Sequence, residues 1–540
     1  MKFDRLYFIL LFLILLVLKL PVLNLPYYWD GLNYVIASAD KVYNQGFTIY
    51  LWDVGVGHPP FFYILLGYMF KIFGESPLTG NFLTLIFAFL TLYFTYLIGK
   101  TLFNRKTGVI SSLLLLFYPS FFSYSAIVTL DLPMTAFALM AIYFSITKRK
   151  FWYALTGSLL VLTKEIGILI IGSIIIANFL KDRKYFIKNF YIHLIPLFIF
   201  ALWVISSKIH YGYYFYPENL NALKLNPLKL FLNFLLLLKY TFFDHYKWIL
   251  TSLLILSGFS IKSEKKSKKI LFIAIAFSLL FLFLIFNLNI IKTYTSGFFP
   301  NLDSYLSVFK TFSPLFVALL FILILKFNEL KKIYLNKNFL EIFISIIIII
   351  LFHTLLIPSS PKYIIILYPL TFILFSFALF KIFNNKSFIV VVLIIALFIT
   401  QWTGNRSSVG FVLEDNLEYI DVIKTHQLAS NYIESNFPKA TVLAAYPQSI
   451  ELKYSYGGYV KKPINVVTYS PLPGLNITEY LNLTLRSNQK INISNIDLYY
   501  YSPQEYPTQK ITDAAKSLNL TLIKRFELNN KSAEIYKVNK

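Results

Sequence analysis

Four stretches of the 540-residue chain carry side chains whose types and spacing could do chemistry. The segment from Tyr27 to Phe61 holds Asp30, Asp40 and Asp53, with His58 directly before Pro59 and Pro60. Asp131 stands two residues before Pro133, Lys164 adjoins Glu165, and Lys362 adjoins Tyr363. A carboxylate can orient a hydroxyl or amine and take its proton, while cations can meet a departing anion. Asp30 and Asp131 fit the first role and are the candidate catalytic residues. His58, Lys164, Glu165, Lys362, Tyr363 and Asp53 form the candidate substrate-binding set. Each also has a purely structural reading. Asp30 and Asp131 sit where helix N-caps sit, His58 suits a turn, Lys164-Glu165 suits an ion pair or anchor, and Lys362 suits a snorkelling helix end.

The elements that must position these groups follow from composition. The chain is 57% hydrophobic and 14% charged, with mean hydropathy +0.63. A chain of that composition uses lipid as its solvent, so a soluble globule is excluded and a polytopic α-helical membrane protein is expected. The net charge of +24 is spread in short basic clusters between apolar runs, which speaks for membrane anchoring and against nucleic acid. Cysteine is absent, so neither a disulfide framework nor a thiol-bound metal is available.

Lys2 and Arg5 precede an apolar run from Leu6 to Leu25 that lacks a small-residue cleavage site, which reads as a retained anchor with the N-terminus in the cytoplasm. In the loop that follows, apolar residues at helical spacing predict an amphipathic helix over 31–44 ended by Gly46, with Asp30 at its start. A second interfacial helix is expected from Pro59-Pro60 to Gly74, and Leu78–Gly99 then crosses the membrane. Basic clusters at 100–106, 148–150, 181–188, 262–269, 326–337 and 381–386, with the N-terminus, hold 23 of the 35 Lys and Arg in residues 1–403. Alternation about those clusters predicts about thirteen spans, with both interfacial helices in the first outer loop. Nine of the 14 acids before residue 404 then fall outside: Asp30, Asp40, Asp53, Glu75, Asp131, Glu165, Glu218, Asp244 and Asp303. Any chemistry is expected on that face.

The composition changes after Trp402. Residues 404–540 hold 15 basic and 12 acidic side chains, and they read as a small extracytoplasmic α/β domain following the transmembrane domain 1–403. A helix at 425–436, strands at Thr441–Tyr446, Asp497–Tyr501, Leu520–Phe526 and Ala533–Val538, and a helix near 509–518 are expected. Sequons begin at Asn405, Asn476, Asn482, Asn492, Asn519 and Asn530, and a seventh at Asn385 lies on the expected inner side.

This arrangement resembles the GT-C glycosyltransferases that use polyprenyl-phosphate sugars, among them protein O-mannosyltransferases and the aminoarabinose transferase that modifies lipid A. The resemblance spans roughly residues 1–402. YYWDGLNY is similar to the first-loop segment whose acid is essential for transfer, and GHPPFFYILLGYMFKIFGES to the segment running from Pro-Pro to F-G-x-S. SYSAIVTLDLPMTAFAL, LTGSLLVLTKEIGILI and SSPKYIIILYP resemble, in order, the second-loop Asp, the G-L-x-x-L-x-K segment and the late K-Y segment. Two departures stand out: many relatives carry Asp-Glu where this chain has Asp30-Gly31, and the aminoarabinose branch has Lys where His58 stands.

The resemblance implies a glycosyltransferase of the cell membrane. Its donor would be a polyprenyl-phosphate (dolichyl-type) sugar, its acceptor a protein, lipid or glycan, and its partner the bilayer itself. A monophosphate leaving group can be met by basic side chains, so no cofactor is required, while a divalent metal is compatible. The first loop, the Asp131 turn, Lys164 and Lys362 are expected to converge on one outward-facing pocket. A transporter or flippase for the same lipids, or a membrane scaffold without catalysis, would share the topology. Replacing Asp30 discriminates among these readings.

Overall fold

The computed structural model describes residues 2–55, 57–217, 227–259, 339–355, 361–403, 414–469, 495–503 and 518–539. The basic loops 262–269 and 326–337, the acids Glu218 and Asp303, the sequons at Asn405, Asn476, Asn482 and Asn492, and the expected helix near 509–518 up to its last residue lie outside them.

Among the described residues, four helices are long and apolar enough to cross a membrane: Phe3–Val22, Pro77–Leu102, Tyr191–Tyr211 and Leu367–Ile399. Shorter apolar helices include Phe61–Phe73, Asp131–Ile146, Gly167–Lys181 and Leu340–Leu355. The expected total of about thirteen spans includes stretches beyond the described residues. The chain divides into two compact units.

The first unit comprises Met1–Phe89, Phe122–Pro133 and Trp402–Lys540. The opening helix Lys2–Lys19 sets Phe8 and Phe12 edge-on against Phe89, with ring centres 4.7 and 5.2 Å apart. In the first loop a short π-helix, Gly31–Val35, runs into the helix Ile36–Gln45, which Gly46 ends at φ 90°. The helix Phe61–Phe73 begins after Pro60 and ends at Gly74, φ 88°. These helices pack closely because position 67 is glycine: a Cβ there would lie 2.7 Å from the Ala39 carbonyl oxygen and from Val42 Cβ.

The C-terminal part of this unit is an α/β layer. The helix Tyr419–Asn436 buries Val422, Ala429 and Ile433, and its sheet has the strand order β2-β1-β3-β5-β4. Here β1 is Thr441–Ala445, β2 Asn465–Tyr469, β3 Leu498–Tyr501, β4 Leu520–Leu528 and β5 Lys531–Val538. β1 runs parallel to β2 and β3, whereas β5 runs antiparallel to β3 and β4. Asn529 and Asn530, both at positive φ, make the two-residue turn between β4 and β5. The β2 strand, at the sheet edge, is not among the strands expected from the sequence.

The second unit comprises Leu90–Phe121 and Met134–Gln401 and is helical among its described residues. Small residues let its helices approach, as lipid-embedded packing requires. A Cβ at Gly108 would come 2.5 Å from the Tyr96 carbonyl oxygen. Ser173 and Ser345 hydrogen-bond at 2.7 Å, and Lys181 pairs with buried Glu341 at 3.1 Å, joining Gly167–Lys181 to Leu340–Leu355.

Candidate active site

The three candidate aspartates, Asp30, Asp53 and Asp131, belong to the first unit. Asp30 is half-buried and directly precedes the π-helix Gly31–Val35, but its side chain makes no capping hydrogen bond there. The N-cap role is therefore not what occupies it. Asp131 opens the helix Asp131–Ile146 and is 5% exposed. The loop of one acid touches the turn of the other: a Cβ at Gly31 would lie 2.6 Å from the Val128 carbonyl oxygen. Two residues before Asp131, the buried Thr129 hydroxyl has no hydrogen-bond partner among the described residues.

The turn that carries Asp131 is held firmly. Ser125 Oγ donates to the Phe122 carbonyl at 2.7 Å, Ser123 Oγ to the Asn416 carbonyl at 2.8 Å, and Tyr124 OH to Glu414 Oε2 at 3.2 Å. Phe122 stacks on Trp402 with ring centres 3.9 Å apart. The Lys19 ammonium donates to the Phe122 carbonyl and lies over its ring.

The other acids of the first loop behave differently. Asp53 is exposed and pairs with Lys41 at 2.7 Å. Asp40 accepts from Asn44 Nδ2 at 2.7 Å. Glu75, just beyond Gly74, has one buried carboxylate oxygen without a hydrogen-bond partner among the described residues. Burial first, then the charge of Asp40 and a hydrogen bond with it, pushes the Glu75 carboxyl up to about 7. His58 is half-buried ahead of the two prolines that start the helix Phe61–Phe73.

The candidate lysines belong to the second unit, where two turns distant in sequence meet. The helix Lys150–Thr163 ends at Lys164, whose extended backbone, φ −153° and ψ 137°, turns the chain into the helix Gly167–Lys181. Gly167 permits that turn, since a Cβ there would lie 2.8 Å from Leu160. Lys362 stands in the single turn Pro361–Ile364 before the helix Leu367–Phe383. Both lysines are buried, at 4% and 1% exposure, while Glu165 is half-buried. Their ammonium groups lie 5.3 and 5.5 Å from the centre of one ring, Tyr363. Two buried cations beside one aromatic ring make a site suited to an anion with several oxygens, such as a phosphate. Among the described residues, no group of three or more His, Asp or Glu side chains is arranged to hold a metal.

Three residues near the acids are not among the candidates read from the sequence. Gly31 stood out only as a departure from the relatives' acidic pair, although a glycine beside a candidate acid can signal close backbone approach. Trp29, at φ 44°, and Tyr446, whose ring centre lies 5.1 Å from that of Trp29, left no pattern in the sequence.

Residues 57–211 match the family model of dolichyl-phosphate-mannose-protein mannosyltransferases, a stretch that includes His58, Asp131, Lys164 and Glu165. No curated protein matches the chain by sequence. Two crystal structures of ArnT from Cupriavidus metallidurans, one bound to undecaprenyl phosphate and one in the apo state, are similar at TM-score 0.51 and 12% identity. Their alignments cover 99% and 98% of this chain and 98% and 97% of theirs, and at that identity the likeness concerns the fold. The Archaeoglobus fulgidus oligosaccharyltransferase is more distant, with TM-score 0.46, 11% identity, and coverage of 94% of this chain and 70% of that one. Residues 57–211 thus resemble the mannosyltransferase family in sequence, and the chain as a whole shares the fold of ArnT.

Proposed function

We propose that the protein transfers a sugar from a polyprenyl-phosphate donor to an acceptor on the outer face of the cell membrane, inverting the anomeric carbon. The observation that carries this reading is the pair of buried lysines, Lys164 and Lys362, on the ring of Tyr363. Two ammonium groups beside one aromatic ring can hold an anion with several oxygens, and a lipid phosphate is such an anion. The undecaprenyl phosphate bound by ArnT supports the same donor class here.

In this reaction Asp30 accepts the proton of the acceptor hydroxyl or amine as its oxygen or nitrogen attacks the anomeric carbon. The bond to the phosphate oxygen breaks on the opposite side, and the phosphate leaves with the electron pair. Asp131 orients the acceptor. Lys164 and Lys362 stabilise the charge that develops on the phosphate, with His58 as a further donor and Glu165 fixing the lysine beside it. The acceptor is a protein, lipid or glycan, and the C-terminal domain lies on the same outer side.

Mass spectrometry of lipids that co-purify with the protein tests the donor class. A polyprenyl-phosphate sugar or its free polyprenyl phosphate is expected, and both should be lost in Lys164→Ala and Lys362→Ala. A flippase would bind the same lipid yet give no glycosylated product when donor and an outer-face extract are supplied. Absence of any lipid phosphate from the wild-type protein would overturn the reading.

A further inference from the structure

The residues around Asp30 are held by the C-terminal part of the chain, segment by segment. Tyr27 donates its backbone N–H to the Gly457 carbonyl at 3.1 Å, and its own carbonyl accepts from Tyr459 OH at 3.1 Å. Tyr28 packs on Tyr419, with ring centres 6.1 Å apart. Trp29 meets Tyr446 edge to face, at 5.1 Å and 76°. Beyond Asp30, Leu32 packs against Gly457, where a Cβ would lie 2.7 Å from Leu32 Cδ1. Every residue from Tyr27 to Trp29 thus has a partner on the C-terminal side.

The grip is tightest where the backbone is least comfortable. Trp29 is buried, 6% exposed, and holds φ 44°, a left-handed conformation that a bulky side chain rarely adopts. Such a conformation persists only where its surroundings over-determine it, and such residues gather beside functional groups. Tyr446 directly follows β1, at the carboxyl end of that strand. Its backbone continues from that strand, and the Trp29 indole rests against its ring.

We propose that Tyr446 is a positioning residue: through Trp29 it holds Asp30 in its working orientation, so the C-terminal domain is part of the transfer machinery and not a separate accessory. This rests on the role proposed for Asp30 in transfer, while the geometry can be tested without it. Because the chain has no cysteine, one introduced cysteine reports on one site.

The test is maleimide labelling of the purified full-length chain carrying Asp30→Cys, alone and combined with Tyr446→Ala or Tyr446→Phe. Tyr446→Ala should raise the labelling rate at position 30 by about tenfold, and Tyr446→Phe, which keeps the ring, should leave it at the parent rate. A control cysteine at Ala429, buried in the sheet domain's own core, should remain silent. If it too becomes reactive in Tyr446→Ala, the domain has opened, and Tyr459→Phe decides instead. That variant deletes one hydrogen bond to the Tyr27 carbonyl and should raise labelling at position 30 by about three- to tenfold with position 429 silent. Unchanged labelling at position 30 in Tyr446→Ala, or in Tyr459→Phe where that variant decides, overturns the proposal. With Asp30 intact, Tyr446→Ala should lower transfer turnover with the KM for donor unchanged, and Tyr446→Phe should restore it. Raised labelling with no transfer by any form of the protein would instead contradict the assigned reaction and leave the positioning intact.

Discussion

Gly31 and Val128 touch so closely that no side chain fits between them: a Cβ on Gly31 would lie 2.6 Å from the Val128 carbonyl oxygen. This contact joins the loop bearing Asp30 to the turn bearing Asp131. It also explains why the chain lacks a second acid after Asp30, since a glutamate at 31 would force the two segments apart. Gly31→Ala is therefore expected to destabilise the protein by about 1–3 kcal/mol, because the atom it meets is backbone and cannot swing away. Thermal melting in detergent checks the loss. Gly31→Glu should be worse still and should not raise activity.

Glu75 should make stability fall as pH rises. Its carboxyl is pushed from an ordinary 4.5 up to about 7 by burial, the charge of Asp40 and their hydrogen bond. Between those values the folded chain keeps a proton that the unfolded chain has released, so folding loses stability through that window and stays weaker above it. Glu75→Gln removes the titration. It should raise Tm at about pH 8 and change it little at about pH 4. An equal change at both ends would show that Glu75 acts through contacts and not through charge.

Lys164→Ala and Lys362→Ala should each weaken binding of a polyprenyl-phosphate donor by about ten- to hundredfold, the loss expected for a charge-assisted hydrogen bond. Because both ammonium groups share the Tyr363 ring, the double substitution should cost less than the two singles combined. Titration of donor by tryptophan fluorescence measures this. Additive losses would mean that the two lysines serve separate sites.

Much of the local structure was legible because it follows from periodicity and punctuation. Gly46 and Gly74 end the two helices of the first loop where the sequence predicts, and four of the five strands lie where apolar runs place them. Grouping of the candidates was less legible. Asp53, as acidic as Asp30 in sequence, is occupied by Lys41 twelve residues earlier. The meeting of Lys164 and Lys362 on Tyr363 depends on contacts between turns almost two hundred residues apart, which no local spacing encodes. The same holds for the Trp29–Tyr446 pair, set by a sheet formed at the far end of the chain.

The role proposed for Asp30, taking a proton during transfer, is measured most directly by Asp30→Asn, because the substitution preserves shape and removes basicity. Turnover of a polyprenyl-phosphate sugar donor should fall by about 10²–10⁴, with donor affinity unchanged and the remaining product inverted at the anomeric carbon. Near-normal turnover in Asp30→Asn, or a product with retained configuration, would contradict the account.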